Sequence, residues 1–203
     1  MTGMYRPGAF AVDDASVLRD FIRAQPFATV AAVVGGAVQL AYAPVVIGDD
    51  GAARFHLARA NPLAQSGDGA RVRLSFLGPH AYVSPDWYAS AGMVPTWNYC
   101  AVEGEGALKR LDEQDLRRLL VDLSRAEEEK LLPKKPWTID KVPPEKMMKL
   151  LGAIAGFSLR FEKLEGKFKL SQNTGPEDRG GVVRGLEARG DAASTAVARA
   201  MRS

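Results

Sequence analysis

Between Phe27 and Leu57, three apolar runs separated by two tight turns limit the fold more than any other stretch of the chain. Phe27 to Val34 is apolar and β-branched, Gly35-Gly36 is a hairpin turn, and Ala37 to Ile47 returns as a second strand. Gly48-Asp49-Asp50-Gly51 turns the chain again into Ala53 to Leu57, where Arg54 and His56 alternate with Phe55 and Leu57 as on a half-buried strand. Strands joined by turns this short form an antiparallel meander, because a parallel pair needs a long crossover. A fourth strand is expected over Val72 to Leu77. A long run from Trp97 to Leu111 carries Gly104 and Gly106, whose missing side chains suit a bulge or sharp coil.

Helices are expected between these strands. Asp13 and Asp14 precede a segment with Val17, Leu18, Phe21 and Ile22 on one face, closed by Pro26. Asp112 caps a helix through Leu116, Leu119, Leu120 and Leu123, and Pro143-Pro144-Glu145 opens a shorter one with Met147, Met148, Leu150 and Leu151. An alternating strand follows with Phe157, Leu159 and Phe161 on one face, and Glu165-Gly166-Lys167 is expected to turn it into Phe168 to Asn173. The alanine-rich segment from Ala192 to Met201 reads either as a helix or as a fraying tail. Short strands with tight hairpins and a few interposed helices predict an α+β domain around an antiparallel barrel with peripheral helices.

Composition narrows the function classes. A chain of 203 residues is long enough for one large domain, or a domain with an appendage, to bury a proper core. The net charge of +3 comes from 27 basic and 24 acidic residues mixed along the chain, which leaves no clustered basic face for nucleic acid. One cysteine, Cys100, excludes an intramolecular disulfide, and two histidines far apart exclude a His/Cys zinc cluster. Cys100 follows Tyr99 in an apolar strand with no local cation and reads as buried and inert. No apolar run is long enough for a membrane helix and no signal-like segment opens the chain, so a cytoplasmic protein is expected.

Three constellations are candidates for chemistry. Gly78 to Tyr99 gathers Tyr82, Trp87, Tyr88, Trp97, Tyr99 and His80 among Pro and Gly, which predicts short extended pieces joined by turns. Its rings and the Asn98 amide suit a flat, polar-edged ligand, and they equally suit an aromatic corner that only fills space. In His56-Leu57-Ala58-Arg59-Ala60-Asn61-Pro62, Arg59 and Asn61 sit at a strand end before a short helix. That arrangement reads as a phosphate or carboxylate seat, or as an exposed Arg and a turn Asn. Lys167, Lys169, Gln172 and Asn173 would close the same seat or be solvated hairpin residues.

Several motifs in order along the chain carry a resemblance. They are Met4-Tyr5-Arg6-Pro7, Pro26-Phe27-Ala28-Thr29, His56 to Pro62, Gly78-Pro79-His80-Ala81-Tyr82-Val83-Ser84-Pro85, Trp87-Tyr88, Val94-Pro95-Thr96-Trp97-Asn98-Tyr99 and Lys169-Leu170-Ser171-Gln172-Asn173. The sequence resembles the PaiB-type, FMN-binding negative transcriptional regulators of bacteria from Met4 to about Leu186. The resemblance implies an FMN-binding split barrel in a homodimer with flavin between subunits. It implies one domain over residues 1–186, with an alanine-rich tail over 187–203 outside the shared pattern. It places the strand Ala41 to Val46, with Ala43, Pro44 and Val45, along the flavin ring, and Arg59 with Asn61 at the phosphate. His80, Trp97 and Asn98 would shape the cavity on the reactive face, and Lys169, Gln172 and Asn173 would reach the cofactor or the dimer seam. The cluster of several basic phosphate ligands found in the related pyridoxamine-phosphate oxidases is not present in this sequence.

The implied function is negative transcriptional regulation with FMN as cofactor. No helix-turn-helix with a basic recognition face is legible, which speaks against direct DNA binding. The alternatives are a flavin-dependent oxidoreductase acting on a small molecule in the dimer cleft, and a flavin-storing or cofactor-free scaffold.

Overall fold

The computed structural model describes residues 3–48 and 50–202, so Asp49 of the expected second turn lies outside the described residues. In chain order the elements are β1 (Ala11–Val12), α1 (Ala15–Ala24), β2 (Phe27–Val34), β3 (Ala37–Pro44), β4 (Val46–Ile47), β5 (Ala53–Ala58), β6 (Arg71–Val83) and β7 (Thr96–Arg110). They continue with α2 (Glu113–Glu128), α3 (Pro144–Ala153), β8 (Ile154–Leu159), β9 (Lys163–Lys169), α4 (Pro176–Arg189) and α5 (Ala192–Arg202). The chain forms two compact units. The first comprises Ile22–Phe76 with Gly104–Lys163, and the second comprises the described residues up to Phe21, Leu77–Glu103, and those from Leu164 onward.

In the first unit the strands lie in the order β3-β2-β6-β7-β8-β5-β4, a path that does not close on itself. The β2–β3 hairpin turns at Gly35 (φ 58°) and Gly36 (φ 83°), the doubly left-handed geometry that matches strand twist and that glycine adopts without a steric penalty. Its register runs from Phe27 opposite Pro44 to Val34 opposite Ala37. Period-two alternation then buries Ala28, Val30 and Ala32 of β2 together with Ala41 and Ala43 of β3. β5 and β8 pair with Phe55 opposite Phe157, their rings 5.7 Å apart. Glycine at Gly106 answers a close approach: a Cβ there would lie 2.2 Å from the Arg160 carbonyl oxygen, and β7 runs through it as strand.

The two helices of this unit bury Leu116 and Leu119 of α2 against Met147 and Leu151 of α3. Asp112 caps α2 as its sequence predicts, its carboxylate accepting from Asp115 N at 2.7 Å. On β7, Glu105 is 7% exposed and accepts from Arg73 Nη2 at 2.8 Å, with Arg71 Nη2 at 3.8 Å from its other oxygen. The Arg73 hydrogen bond, then the Arg73 and Arg71 charges, hold the Glu105 carboxyl below the usual carboxylate range. A carboxylate with a lowered folded pKa stabilises fully above its unfolded value, and that stability is lost as pH falls through the folded value. Glu105→Gln is therefore expected to lose about 2 kcal/mol near neutral pH, with the gap to wild type closing under acid, as read from urea midpoints across pH. A gap independent of pH would remove the ion-pair assignment.

In the second unit, β9 pairs with β1 and β7. The Glu165-Gly166-Lys167 segment, expected as a turn, instead lies inside β9. A Cβ on Gly166 would meet Leu18 Cδ2 of α1 at 2.4 Å, so this glycine serves helix-on-strand packing. Asp14 caps α1, with Oδ1 accepting from Ser16 N at 2.8 Å and Val17 N at 3.2 Å. The alanine-rich tail is helix α5, opened by Asp191 Oδ1 accepting from Ser194 N at 2.9 Å. Its Val197, Ala198 and Met201 join Val182 and Leu186 of α4 and Ala81, Val83 and Cys100 in one buried core.

Candidate functional site

The candidate residues divide between the two units. In the first, β3 ends at Pro44, opposite Phe27, and one more rung of the same register follows, Val45 N donating to the Pro26 carbonyl at 2.8 Å. Ala43 and Val45 are buried and Pro44 is half-buried. The small side chains of Ala41 and Ala43 face the core, while the outward face of the hairpin carries Val38, Leu40 and Tyr42 beside Phe27 and Val33, all exposed.

Arg59 leaves β5 beside the last turn of α3. Its Nε donates to Gly152 O at 2.9 Å and its Nη2 to Ile154 O at 3.0 Å, satisfying carbonyls where that helix meets β8. Asn61 caps the 3-10 turn Pro62–Gln65, its Oδ1 accepting from Leu63 N at 2.9 Å, which leaves its amide N–H groups to point elsewhere. Gln65 Nε2 donates to Arg59 O at 2.7 Å and ties the loop together. Arg59 and a second arginine, Arg110, both line a cavity of about 390 Å³. Arg110 Nη2 donates to Ala64 O at 2.6 Å, and its guanidinium lies 5.3 Å from the centre of the Phe157 ring. Reading the sequence misses Arg110, because it ends a strand far from Arg59 and only the pairing of β7 with β8, Arg110 opposite Phe157, brings it in. Asp112, Glu113 and apolar Leu116, Met148 and Leu151 complete that cavity. His56 is opposite Gly156, its Nδ1 buried with no hydrogen-bond partner among the described residues, and burial pushes its pKa down toward the neutral form.

The other candidates belong to the second unit. Gly78-Pro79-His80 does not break the chain into separate pieces: it lies inside β6. The buried positions switch there from 72, 74, 76 and 78 to 81 and 83, a phase change of the kind a bulge makes. His80 Nδ1 sits 3.1 Å from Gly78 O, and its ring stacks on Trp97 at 6.1 Å, with Tyr82 edge-on to the same indole. Trp97 is 53% exposed. Asn98, in contrast, is fully buried, its Nδ2 donating to Ser171 Oγ at 2.9 Å. Lys169 Nζ donates to Thr96 Oγ1 and to Trp97 O. Gln172 is exposed and closed on its own backbone, accepting from Leu170 N at 2.6 Å and donating to Phe168 O. Lys169, Asn98 and Asn173 line one cavity. Cys100 is buried, which pushes its thiol up to about 12 and keeps it un-ionised. Among the described residues no group of His, Cys, Asp and Glu could hold a metal ion, and no helix is long and apolar enough to cross a membrane.

Residues 4–163 match the family model described as "Putative FMN-binding domain". The chain belongs to this FMN-binding family. The chain is also similar to the protease synthase and sporulation protein PAI 2 of Bacillus subtilis, 31% identical over 189 residues, covering 91% of this chain and 89% of the relative. Among solved structures, the flavocytochrome Anf3 of Azotobacter vinelandii aligns with TM-score 0.60 at 21% identity, over 86% of this chain and 74% of that one. The FAD and heme binding protein of Mycobacterium smegmatis aligns with TM-score 0.59 at 16% identity, over 78% and 73% of the two chains. At such identities what is shared is the fold, the antiparallel α+β split barrel that the sequence predicts. The PaiB-type resemblance and the FMN expectation stand with the FMN-binding family.

The residues present fit a phosphorylated cofactor in donor type. Arg59 and Arg110 line one cavity together with apolar walls and the carboxylates of Asp112 and Glu113, inside the segment that the FMN-binding family model spans.

Proposed function

We propose that this chain is a homodimeric FMN-binding protein of the PaiB type that acts in negative transcriptional regulation. The observation that carries the reading is that Arg59 and Arg110 line one cavity, within a segment matched to an FMN-binding family. In this reading Arg59 and Arg110 hold the phosphate, and Leu116, Met148 and Leu151 give the cavity its apolar wall. The Asn61 amide N–H groups, free among the described residues, lie on the loop that follows Arg59. FMN, when bound, supplies reversible one- or two-electron transfer. The exposed β2–β3 face is the natural seat of a second copy, since a large outward apolar patch on one sheet marks an interaction surface. In this reading α2 is not a DNA-recognition helix. The arginines of α2 are held on the helix itself, Arg117 by Glu113, Arg118 by Asp115 and Arg125 by Asp122, so that face has no net field for phosphates.

A second reading, a flavin-dependent oxidoreductase for a small molecule, draws support from the exposed Trp97 with His80 stacked on it, an open aromatic shelf of the sort a planar substrate uses. A visible absorption spectrum through an FMN titration, run beside a sizing column, tests the main proposal: a flavin band retained on a dimer peak is expected. Protein that stays colourless at saturating FMN would remove the cofactor proposal. Arg59→Ala is expected to weaken FMN at least about tenfold, a loss of about 1.4 kcal/mol. Its thermal midpoint should fall by about 2–4 °C and no more, because the Gly152 and Ile154 carbonyls that Arg59 bonds lie at an exposed site where water replaces it.

A further inference from the structure

The second unit contains a cavity of about 340 Å³, within the size range of small-molecule sites. Phe10, Tyr88, Met93 and Val94 give it apolar walls. Among the described residues its one ammonium is that of Lys169, half-buried at the cavity edge. Two of the three N–H donors of that ammonium go to Thr96 Oγ1 and Trp97 O, which leaves the third. Among the described residues no carboxylate lies within ion-pair distance of it. Burial, and the neighbouring Lys167 charge, lower its pKa, as expected for a cation without a counter-charge. A half-buried, unpaired charge is unfavourable unless something supplies its partner.

The backbone opposite is also held away from its resting state. Ser171 is the one non-glycine described residue with positive φ, at 60°, and it lines the same cavity. Such strain persists where the surroundings over-determine it, and it clusters at ligand clamps. The restraint here is the buried Asn98 amide on Ser171 Oγ, reinforced by Thr174 Oγ1 donating to Ser171 O at 2.8 Å. The segment that carries Met93 and Val94 is pinned at its start by the buried Asp178, which accepts from Ser90 N at 2.8 Å.

We propose that this cavity is a binding site for a small organic carboxylate, its anion on Lys169 Nζ and Thr96 Oγ1 and its apolar body against Phe10, Met93 and Val94. One ammonium matches a single negative charge; a phosphate dianion calls for the paired cations and forked donors that this cavity lacks. Lys167 does not add to it, because its ammonium lies over the Tyr5 and Tyr99 rings and donates to Tyr5 O at 3.2 Å. The site is independent of the FMN seat proposed at Arg59, and it stands or falls without it.

The test uses the full chain freed of flavin, with benzoate as the carboxylate probe and benzamide as its neutral counterpart. Methyl NMR is read at the Met93 ε-methyl, assigned through Met93→Leu. A saturable benzoate shift is expected, with benzamide at least tenfold weaker. Lys169→Met should weaken benzoate at least tenfold, and Thr96→Val severalfold, which keeps the test open if the lysine variant does not fold. Lys135→Met, on an exposed loop, should leave benzoate binding unchanged. Equal response to benzoate and benzamide would overturn the proposal. So would competition between FMN and benzoate for the same Met93 shift, which would make the cavity part of the flavin seat. FMN binding read at its own visible band reports separately on the Arg59 seat.

Discussion

Replacing Gly181 with Ala is expected to destabilise the protein by about 2–4 kcal/mol, while the same change at its neighbour Gly180 is expected to stabilise it by up to about 1 kcal/mol. Both lie in the interior of α4, where glycine sacrifices unfolded-chain entropy that alanine would save. At Gly180 the added methyl would meet nothing nearer than Arg184 Nη1 at 3.4 Å, the end of a flexible side chain. At Gly181 it would lie 2.0 Å from the carbonyl oxygen of Trp87, a backbone atom that cannot step aside alone. One turn on, a methyl at Gly185 would lie 2.2 Å from the Trp87 ring, so the two glycines together form the groove in which that residue rests. For a chain of this size each kcal/mol moves the thermal midpoint by about 2–4 °C, so the two variants should shift in opposite directions. Midpoints that agree to within a degree would mean that α4 does not approach Trp87 in this way.

Leu40→Asp is expected to convert the dimer proposed above into a folded monomer, raising the dimer dissociation constant at least about 100-fold, or about 2.7 kcal/mol. Leu40 is 56% exposed on β3 and faces outward between Val38 and Tyr42, so the carboxylate is tolerated by the isolated subunit. Each large apolar side chain withdrawn from water at an interface contributes about 1.5–3 kcal/mol, and a two-fold axis repeats each contact. Asp at this position would remove that contribution twice and bury two carboxylates without partners. Sedimentation or sizing at several concentrations reads the result, with far-UV circular dichroism as the check on folding. A variant that still runs as a dimer would assign the second copy to another surface.

Much of the fold is written in local signals. The Gly35-Gly36 hairpin, the carboxylate caps at Asp14 and Asp112 and the proline start of α3 involve residues adjacent in the chain, and each forms as its sequence predicts. The glycines divide differently. Gly35 and Gly36 are needed for their own backbone angles, whereas Gly106, Gly166 and Gly181 are needed because a distant atom comes close. For that reason Gly166 reads as a turn in the sequence and is strand in the fold. The candidate site shows the same division. Arg59 and Asn61 stand out in the sequence through their place at a strand end, and Lys169 and Asn98 through the motifs around them.

The chain by itself determined the antiparallel α+β class, the β2–β3 hairpin, helices α1 to α3 and the FMN-binding family, because period-two alternation, turn chemistry and motif order are properties of neighbours in sequence. It did not announce α4 or the continuation of β6 to Val83. Only the tertiary structure decided that Ala41 and Ala43 turn inward while Leu40 and Tyr42 turn out, that Arg110 lines the same cavity as Arg59, and that Lys169 borders an apolar cavity with no carboxylate partner among the described residues. The physical reason is that strand alternation specifies two faces without saying which is covered. Covering a face, and bringing together charges from distant strands, depends on contacts that exist only once the chain has packed.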